Sequence, residues 1–478
     1  MTIFNHHHRA LPPTCVTEFT HQSRQDALHA IASILALEPD YLQNTPTQSG
    51  TFIQALLSAE RGGIGFDDPV LNQPPTFLGG WADACPALRL DHRIGHIIAD
   101  PLNWINQPSL TLQQAALTFD MMVSLPAFKC PTPLDEPRNA REALVDPTTG
   151  RPCITRLHLT SQRHPQRTFS NIARDTAEAS YLGPLSLIAA EGKARIRACA
   201  LPPSPCLFQM YGTTPLTTLN DLQLTFLVCF RLGIPLPFLA PPLTCHHRCK
   251  LLATITAATP ADPIFYALIR GYHHAACKCG GYSIARHNEI AHVIAEIASA
   301  ESGYTTHLQS FLSSSLTDGK QVDIIMSSWR LGHTIAMDTT LSNPLLVSYV
   351  KAASLSASAI ITEREEEKDK KHLLGCLATD RIFIPAVFTT FGGMGGDRFN
   401  RWFNSLFEHA IAAEKLEGGT GWAATRRKQL AIQRFCAVIA RATASMVENL
   451  ARGVPRSDRG SKRPRTAPTP AANAGTRF

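Results

Sequence analysis

A chain of 478 residues, 44% apolar and 17% charged, is long enough for several hydrophobic cores and too apolar for a disordered polyelectrolyte. Its formal charge of +7 is concentrated at the end: segment 452–478 carries seven Lys/Arg (Arg452, Arg456, Arg459, Lys462, Arg463, Arg465, Arg477) against Asp458, a net +6 that leaves about +1 elsewhere. Net charge alone therefore does not make the body a polyanion binder, and no apolar run approaches the ~18–20 residues of a membrane span.

The opening "MTIFNHHHRALPP" lacks the apolar core of a signal peptide, so the chain reads as intracellular with no membrane partner. Its thirteen cysteines are then expected as thiols or metal ligands, not as a disulfide framework.

In chain order, residues 1–130 predict a mostly helical region, with "SRQDALHAIASILALE" and "TLQQAALTFDMM" at helical periodicity around loops such as "RGGIGFDDPVLNQPP". Residues 131–167 are polar and Pro-rich, a linker or insertion. A helical connector follows at 168–244, where Leu222, Leu224, Phe226, Leu227 and Phe230 give one helix a thick apolar face. Residues 245–285 are crowded with Cys, His and Gly.

Elements then alternate over 286–395. "RHNEIAHVIAEIASA" places Ile290, Val293, Ile294 and Ile297 at helical spacing; "VDIIM" and "HTIAMDTTL" read as strands around "SSWRLG". One long helix is expected from about Pro344 to Leu374, then a strand, "RIFIPAVFTTF". Two helices fill 396–451, and the low-complexity tail 452–478 is expected to be disordered. The fold class is mixed α/β (α+β).

Asp323 and Asp338 fall inside the two apolar strands, where an unpaired carboxylate is costly to bury. Counting by twos puts Asp323 on the face of Ile325, and Asp338 on that of Ala336 and Thr340. Paired as a hairpin, the strands bring both carboxylates to one side of the sheet's open end. At ~4 Å and an effective dielectric near 20, two like charges repel by about 4 kcal/mol. A divalent cation such as Mg²⁺ or Mn²⁺ is the simplest neutralising partner.

The Cys/His segment offers Cys245 and Cys249 in "CHHRC", and His273, His274, Cys277 and Cys279 in "HHAACKC". Two short turns of paired ligands suit a tetrahedral Zn²⁺. Spacing alone leaves His246, His247, His274 and Cys279 as substitutes.

Residues 286–393 resemble the restriction-like endonuclease domain of site-specific non-LTR retrotransposon polyproteins, a branch of the PD-(D/E)XK nuclease fold. The runs "CKCGGYSIARHNEI", "VDIIM", "IAMDTTLSNPL", "EKDKKH" and "FIPAVFTTFGG" carry that resemblance, in order and spacing. Upstream, "RGGIGF", "PTFLGGWADACP" and "CFRLGIPLPF" look like the segment that joins reverse transcriptase to endonuclease in such elements.

The resemblance implies that Asp323 and Asp338 are the metal-binding acids. It further implies a lysine relocated to the following helix in a K-x-x-K-Y pattern, here Lys368, Lys371 and His372, with either lysine open as the catalytic one. Glu289 or Glu296, seven residues apart on one helix edge, would supply a further carboxylate. Val322 stands where the family has proline before the first acid, and Thr340 where the superfamily often has lysine.

The related elements also carry a CCHC zinc knuckle, which selects Cys245, Cys249, His273 and Cys277. The implied activity is Mg²⁺-dependent nicking of a DNA target, with element RNA as a second partner and the nucleus as the location; the "GSKRPRTAP" tail fits nuclear import or phosphate contact. The chain has no aromatic-x-Asp-Asp motif of a reverse transcriptase active site, so RNA copying is not expected of it. The alternative is a nuclease-dead remnant that binds nucleic acid through the knuckle and tail.

Overall fold

The computed structural model describes residues 13–66, 68–77, 80, 165–208, 214–239, 243–260, 262–311, 321–327 and 332–453. The helix expected at "TLQQAALTFDMM", most of the Pro-rich linker, turn residues 328–331 and nearly all of the basic tail lie outside these residues.

The helical expectation for the first half holds where it is described: α1 (Pro13–Ile34), α2 (Thr51–Ala55), α3 (Pro165–Leu182), α4 (Ala190–Ala200) and α5 (Asp221–Leu232). At the start of α5 the Asn220 side chain accepts from the Gln223 N–H, while Gln223 accepts from the Asn220 N–H, a reciprocal cap that satisfies two orphan donors. Phe226 and Phe230 are buried, and Phe230 stacks on Phe391 at 4.8 Å.

Two fully buried arginines organise this half. Arg231 donates from Nε to the Gly63 carbonyl (2.7 Å), from Nη1 to Ser204 Oγ (2.7 Å), and from Nη2 to the carbonyls of Cys199 (2.8 Å) and Ala59 (3.1 Å). Arg195 donates to Gln54 Oε1 and the Ser49 carbonyl. Gly233, at φ +69°, ends α5 where any Cβ would lie 2.1 Å from Arg195 Nη1. "RGGIGF" and "CFRLGIP" are thus joined physically: the Gly63 carbonyl of the first receives the arginine of the second.

Next come α6 (Leu252–Ala257), α7 (Pro263–Ile269) and α8 (Tyr282–Ser302), and then a sheet of β1 (Thr305–Phe311), β2 (Gln321–Ser327), β3 (Thr334–Ser342), β4 (Arg381–Thr389) and β5 (Met394–Gly395). Spatial order follows chain order; only β3 and β4 are parallel, and the other neighbours are antiparallel. The β3–β4 crossover carries α9 (Val350–Leu355) and α10 (Ala359–Leu377), and the fold closes with α11 (Asp397–Leu416) and α12 (Trp422–Ala451). Among the described residues the protein is a mixed α+β structure with one mixed sheet.

Three expectations are revised. The single helix from Pro344 to Leu374 is two helices, broken at Ser356 in extended conformation (φ −148°, ψ 125°). Ser354 there donates to the Lys351 carbonyl and Ser356 pairs with Ser358, local bonds that compete with helix propagation. Strand β1 was not expected from "TTHLQSF". Finally, α12 is long and apolar enough to cross a membrane by length and composition, yet 67% of the relevant window is buried within the protein, so it serves as a core helix here.

The sheet sits between layers. Ile324, Met326, Ile335, Met337, Ile384 and Phe388 pack on one face against α8, α11 and α12. The i, i+3, i+4 spacing of Phe399, Trp402, Phe403, Leu406 and Phe407 gives α11 one apolar stripe, and each fully buried Phe contributes about 1.5–3 kcal/mol. On the opposite face Val322, Ile325, Ala336 and Phe383 pack with Cys376 of α10. The far end of α12 (Ala444, Met446, Val447, Leu450) joins the core of the N-terminal helices, so one helix links both cores.

Candidate functional site

The β2–β3 register ends with Ile324 opposite Met337, the residues next to Asp323 and Asp338. The two carboxyl groups adjoin, but strict alternation fails at Asp323. Val322 and Ile325 both face α10, while Asp323 contacts α8 from the other layer. The β1–β2 ladder skips the same place: Gln309, at φ +50°, lies between the pairs Leu308–Ile324 and Ser310–Val322. The expectation that both aspartates share one face of the sheet is thereby corrected, because the backbone irregularity re-aims the first of them.

Asp323 Oδ1 lies 2.9 Å from His287 Nε2, and its Oδ2 accepts from the Thr339 N–H and from Thr339 Oγ1 (2.8 Å). Thr339 Oγ1 is also 3.1 Å from His287 Nε2. Asp338, only 4% exposed, receives Lys368 Nζ at 2.6 Å on Oδ2. His372 Nε2 is 3.1 Å from the same oxygen, off the line of a good hydrogen bond; neither ring nitrogen has another partner, and the residue is fully buried against Phe383.

Burial pushes the Asp338 carboxyl up, but His372, Lys368 and the Asp323 hydrogen bond together outweigh it. The group is held well below the usual carboxylate range.

The structure separates the two candidate lysines. Ile361, Lys368, His372 and Cys376 lie along one side of α10, which carries Lys368 to Asp338, whereas Lys371 is exposed. Glu289 is exposed on α8, and Glu296 pairs with Arg434 of α12, so neither is the group that α8 brings to Asp323. That group is His287, which the sequence reading missed. The available signal was a polar residue three before Ile290 and seven before Ile294, on the apolar stripe itself.

At the second site the turns before α6 and after α7 bring four ligand atoms together. Cys245 Sγ is 3.7 Å from Cys277 Sγ and 3.5 Å from His273 Nε2, and Cys249 Sγ is 3.6 Å from His273 Nε2. All four ligand atoms lie within 4.8 Å of one another, the one such group of His, Cys, Asp or Glu among the described residues. A tetrahedron with Zn–S bonds near 2.3 Å and a Zn–N bond near 2.0 Å has S–S edges of about 3.8 Å and S–N edges of about 3.6 Å. The donor spacing therefore fits a metal ion such as zinc.

The substitutes are disposed elsewhere. His274 Nε2 is 2.8 Å from the Thr244 carbonyl, and burial pushes its pKa down to about 4. Cys279 donates to the Arg248 carbonyl, and His247 is exposed beside His246. As a bare thiol Cys277 is hard to ionise: the bond with Cys245 and then burial push it up to about 11. A bound cation reverses that balance by favouring thiolates.

No protein-family model matches the chain, and no curated protein matches it.

Proposed function

We propose that the chain is a metal-dependent DNA endonuclease module of the non-LTR retrotransposon type, with a restriction-like sheet and a CCHC zinc knuckle. The observation that carries this reading is Lys368 Nζ on Asp338 Oδ2 at 2.6 Å, beside Asp323 on the adjacent strand. The two acids and the relocated lysine meet, although they are 15 and 30 residues apart in sequence.

In this reading Asp323 and Asp338 hold a divalent cation, Mg²⁺ or Mn²⁺. A bound cation supplies acidification of water and neutralisation of phosphate charge. Thr339 fixes the Asp323 carboxylate through two hydrogen bonds. With a cation held there, Lys368 would be free of Asp338 and would offset the charge that develops on the scissile phosphate. The exposed Arg248, Lys250 and Lys278 flank the Cys/His cluster and offer phosphate contacts to a DNA target or element RNA, in the nucleus.

The test is cleavage of duplex and branched DNA by the full chain in Mg²⁺ or Mn²⁺. Asp323→Ala and Asp338→Ala should abolish cutting, and Lys368→Ala should slow it by about 10²–10³. Equal cutting by all variants would overturn the assignment.

One observation favours a second reading, a nuclease-dead remnant that binds nucleic acid. Each acid already has a basic partner within the protein, Lys368 on Asp338 and His287 on Asp323. DNA binding without cutting in either metal would select it.

A further inference from the structure

The turn between α11 and α12 leaves two large apolar side chains in water. Leu416, the last residue of α11, is 89% exposed, and Trp422, the first of α12, is 69% exposed. An exposed leucine needs no explanation. The indole is different: it meets no other ring or cation among the described residues.

Free positive charge stands beside it. Arg426 lies one turn after Trp422, on the same side of α12, and is exposed with no acidic partner. Gly421 (φ +70°) folds the chain so closely that a Cβ there would lie 3.4 Å from Lys415 Cε, which brings exposed Lys415 to the first turn of α12. Arg427 is already engaged: its Nε is 3.1 Å from Glu301 of α8 and its Nη1 is 3.7 Å from Glu414 of α11. The unpaired charges over 415–428 are Lys415, Arg426 and Lys428 against Glu417, a net +2.

This surface is separate from both candidate sites. Glu301, which anchors Arg427, lies about 21 Å along the axis of α8 from His287, the residue that reaches Asp323. Thr244, beside the Cys/His cluster, bonds the carbonyl of Ala451 at the far end of α12, about 43 Å from Trp422.

Size decides the kind of partner. A stable protein interface covers about 800 Å² on each side, whereas an indole offers no more than ~250 Å², and its unpaired neighbours are mostly charged. A single nucleotide base matches the indole face, and the cations beside it suit the flanking phosphates. In a duplex the base faces are stacked on one another and out of reach.

We propose that Trp422, with Arg426 and Lys415, forms a contact for an unpaired nucleic acid strand: the indole stacks on a base and the two cations meet neighbouring phosphates. The contact reads no sequence, since every base has a stacking face. It is a binding surface and stands whether or not the aspartates cut.

The experiment uses the full chain without added Mg²⁺ or Mn²⁺. Fluorescence anisotropy follows binding to labelled oligothymidylate, oligouridylate, an abasic strand of equal length and a duplex. The wild type should prefer oligothymidylate to the abasic strand by about tenfold, and Trp422→Ala should erase that preference while Trp422→Phe keeps most of it. Arg426→Ala should weaken both strands alike and lower the slope of log affinity against log salt by about 0.7. Duplex binding should not respond to Trp422→Ala. The relative affinities of thymidylate and uridylate say whether DNA or RNA is the natural strand, and either supports the contact. Quenching of indole fluorescence by oligothymidylate, read against Trp422→Phe as the blank, reports the stacking even if the alanine variant folds poorly.

Equal binding of oligothymidylate and the abasic strand by the wild type, or a preference that survives Trp422→Ala, overturns the inference. So does a wild-type dimer that dissociates on Trp422→Ala with strand binding unchanged, which would make the patch a protein interface.

Discussion

The Cys/His cluster draws its four ligands from two short turns packed into one core, whereas the aspartate pair draws its groups from two strands and from helices on opposite faces of the sheet. In the first, three of the ligand-atom separations are 3.5–3.7 Å and all four atoms lie within 4.8 Å of one another. In the second, each carboxylate is answered separately, Asp338 by Lys368 and His372, Asp323 by His287 and Thr339. A closed, equidistant donor set is what a structural ion needs; an open pair with displaceable partners is what a site that exchanges ligands needs.

The most drastic way to break that contrast is to strip the cluster of metal. The purified chain should hold about one zinc, and Cys277→Ser or a strong chelator should remove it with a large fall in Tm. At free zinc 1,000-fold above Kd, ligation contributes about 4 kcal/mol. The loss should spread beyond the turns, because Thr244 reaches the Ala451 carbonyl at the end of α12 and Arg286 of α8 reaches the Ala275 carbonyl. An unchanged Tm with no zinc bound would reduce the cluster to packed thiols and erase the comparison.

Next in size is Lys368→Met. It leaves Asp338 buried without its cation, and removing one partner of such a pair costs about 3 kcal/mol or more. Denaturant unfolding should show this loss, and the double variant Asp338→Asn/Lys368→Met should recover part of it. No recovery would mean that the lysine matters only for packing.

What the sequence made legible follows the same division. The strands of both aspartates were readable because they are short, β-prone apolar runs on either side of a turn, and the Cys/His set because ligands in short turns need only local spacing. The placement of Asp323 was not readable, since it depends on an irregularity shared with Gln309 of β1, a strand whose seven residues include only two large apolar ones, Leu308 and Phe311. His287 lay hidden because a polar residue near the start of an apolar helix reads as a surface position until its partner across the layer is known.

A smaller effect is expected on the acid side of the stability curve. The Asp338 carboxyl is held below its ordinary value in the folded chain, so its contribution is fully present above the unfolded value of about 3.9 and is lost as pH falls below it toward the folded value. Asp338→Asn should therefore flatten the decline in stability below about pH 4 and leave its shape above pH 5 unchanged. An acid limb identical to that of the wild type would show that other carboxylates set it.

Smallest of all should be Lys371→Ala. The residue belongs to the same basic run as Lys368, "KDKK", and differs from it only by rotation about α10. Lys368 is turned inward beside His372 and Cys376, while Lys371 is exposed. Removing an exposed charge typically changes stability by no more than about 0.5 kcal/mol. Cleavage rate at saturating DNA should be preserved too, with any loss confined to weaker and more salt-sensitive DNA binding, as befits a phosphate contact outside the site. A rate loss matching that of Lys368→Ala would place both lysines at the reacting phosphate, which requires α10 to rotate on binding DNA, and the assignment of one lysine per carboxylate would then have to be abandoned.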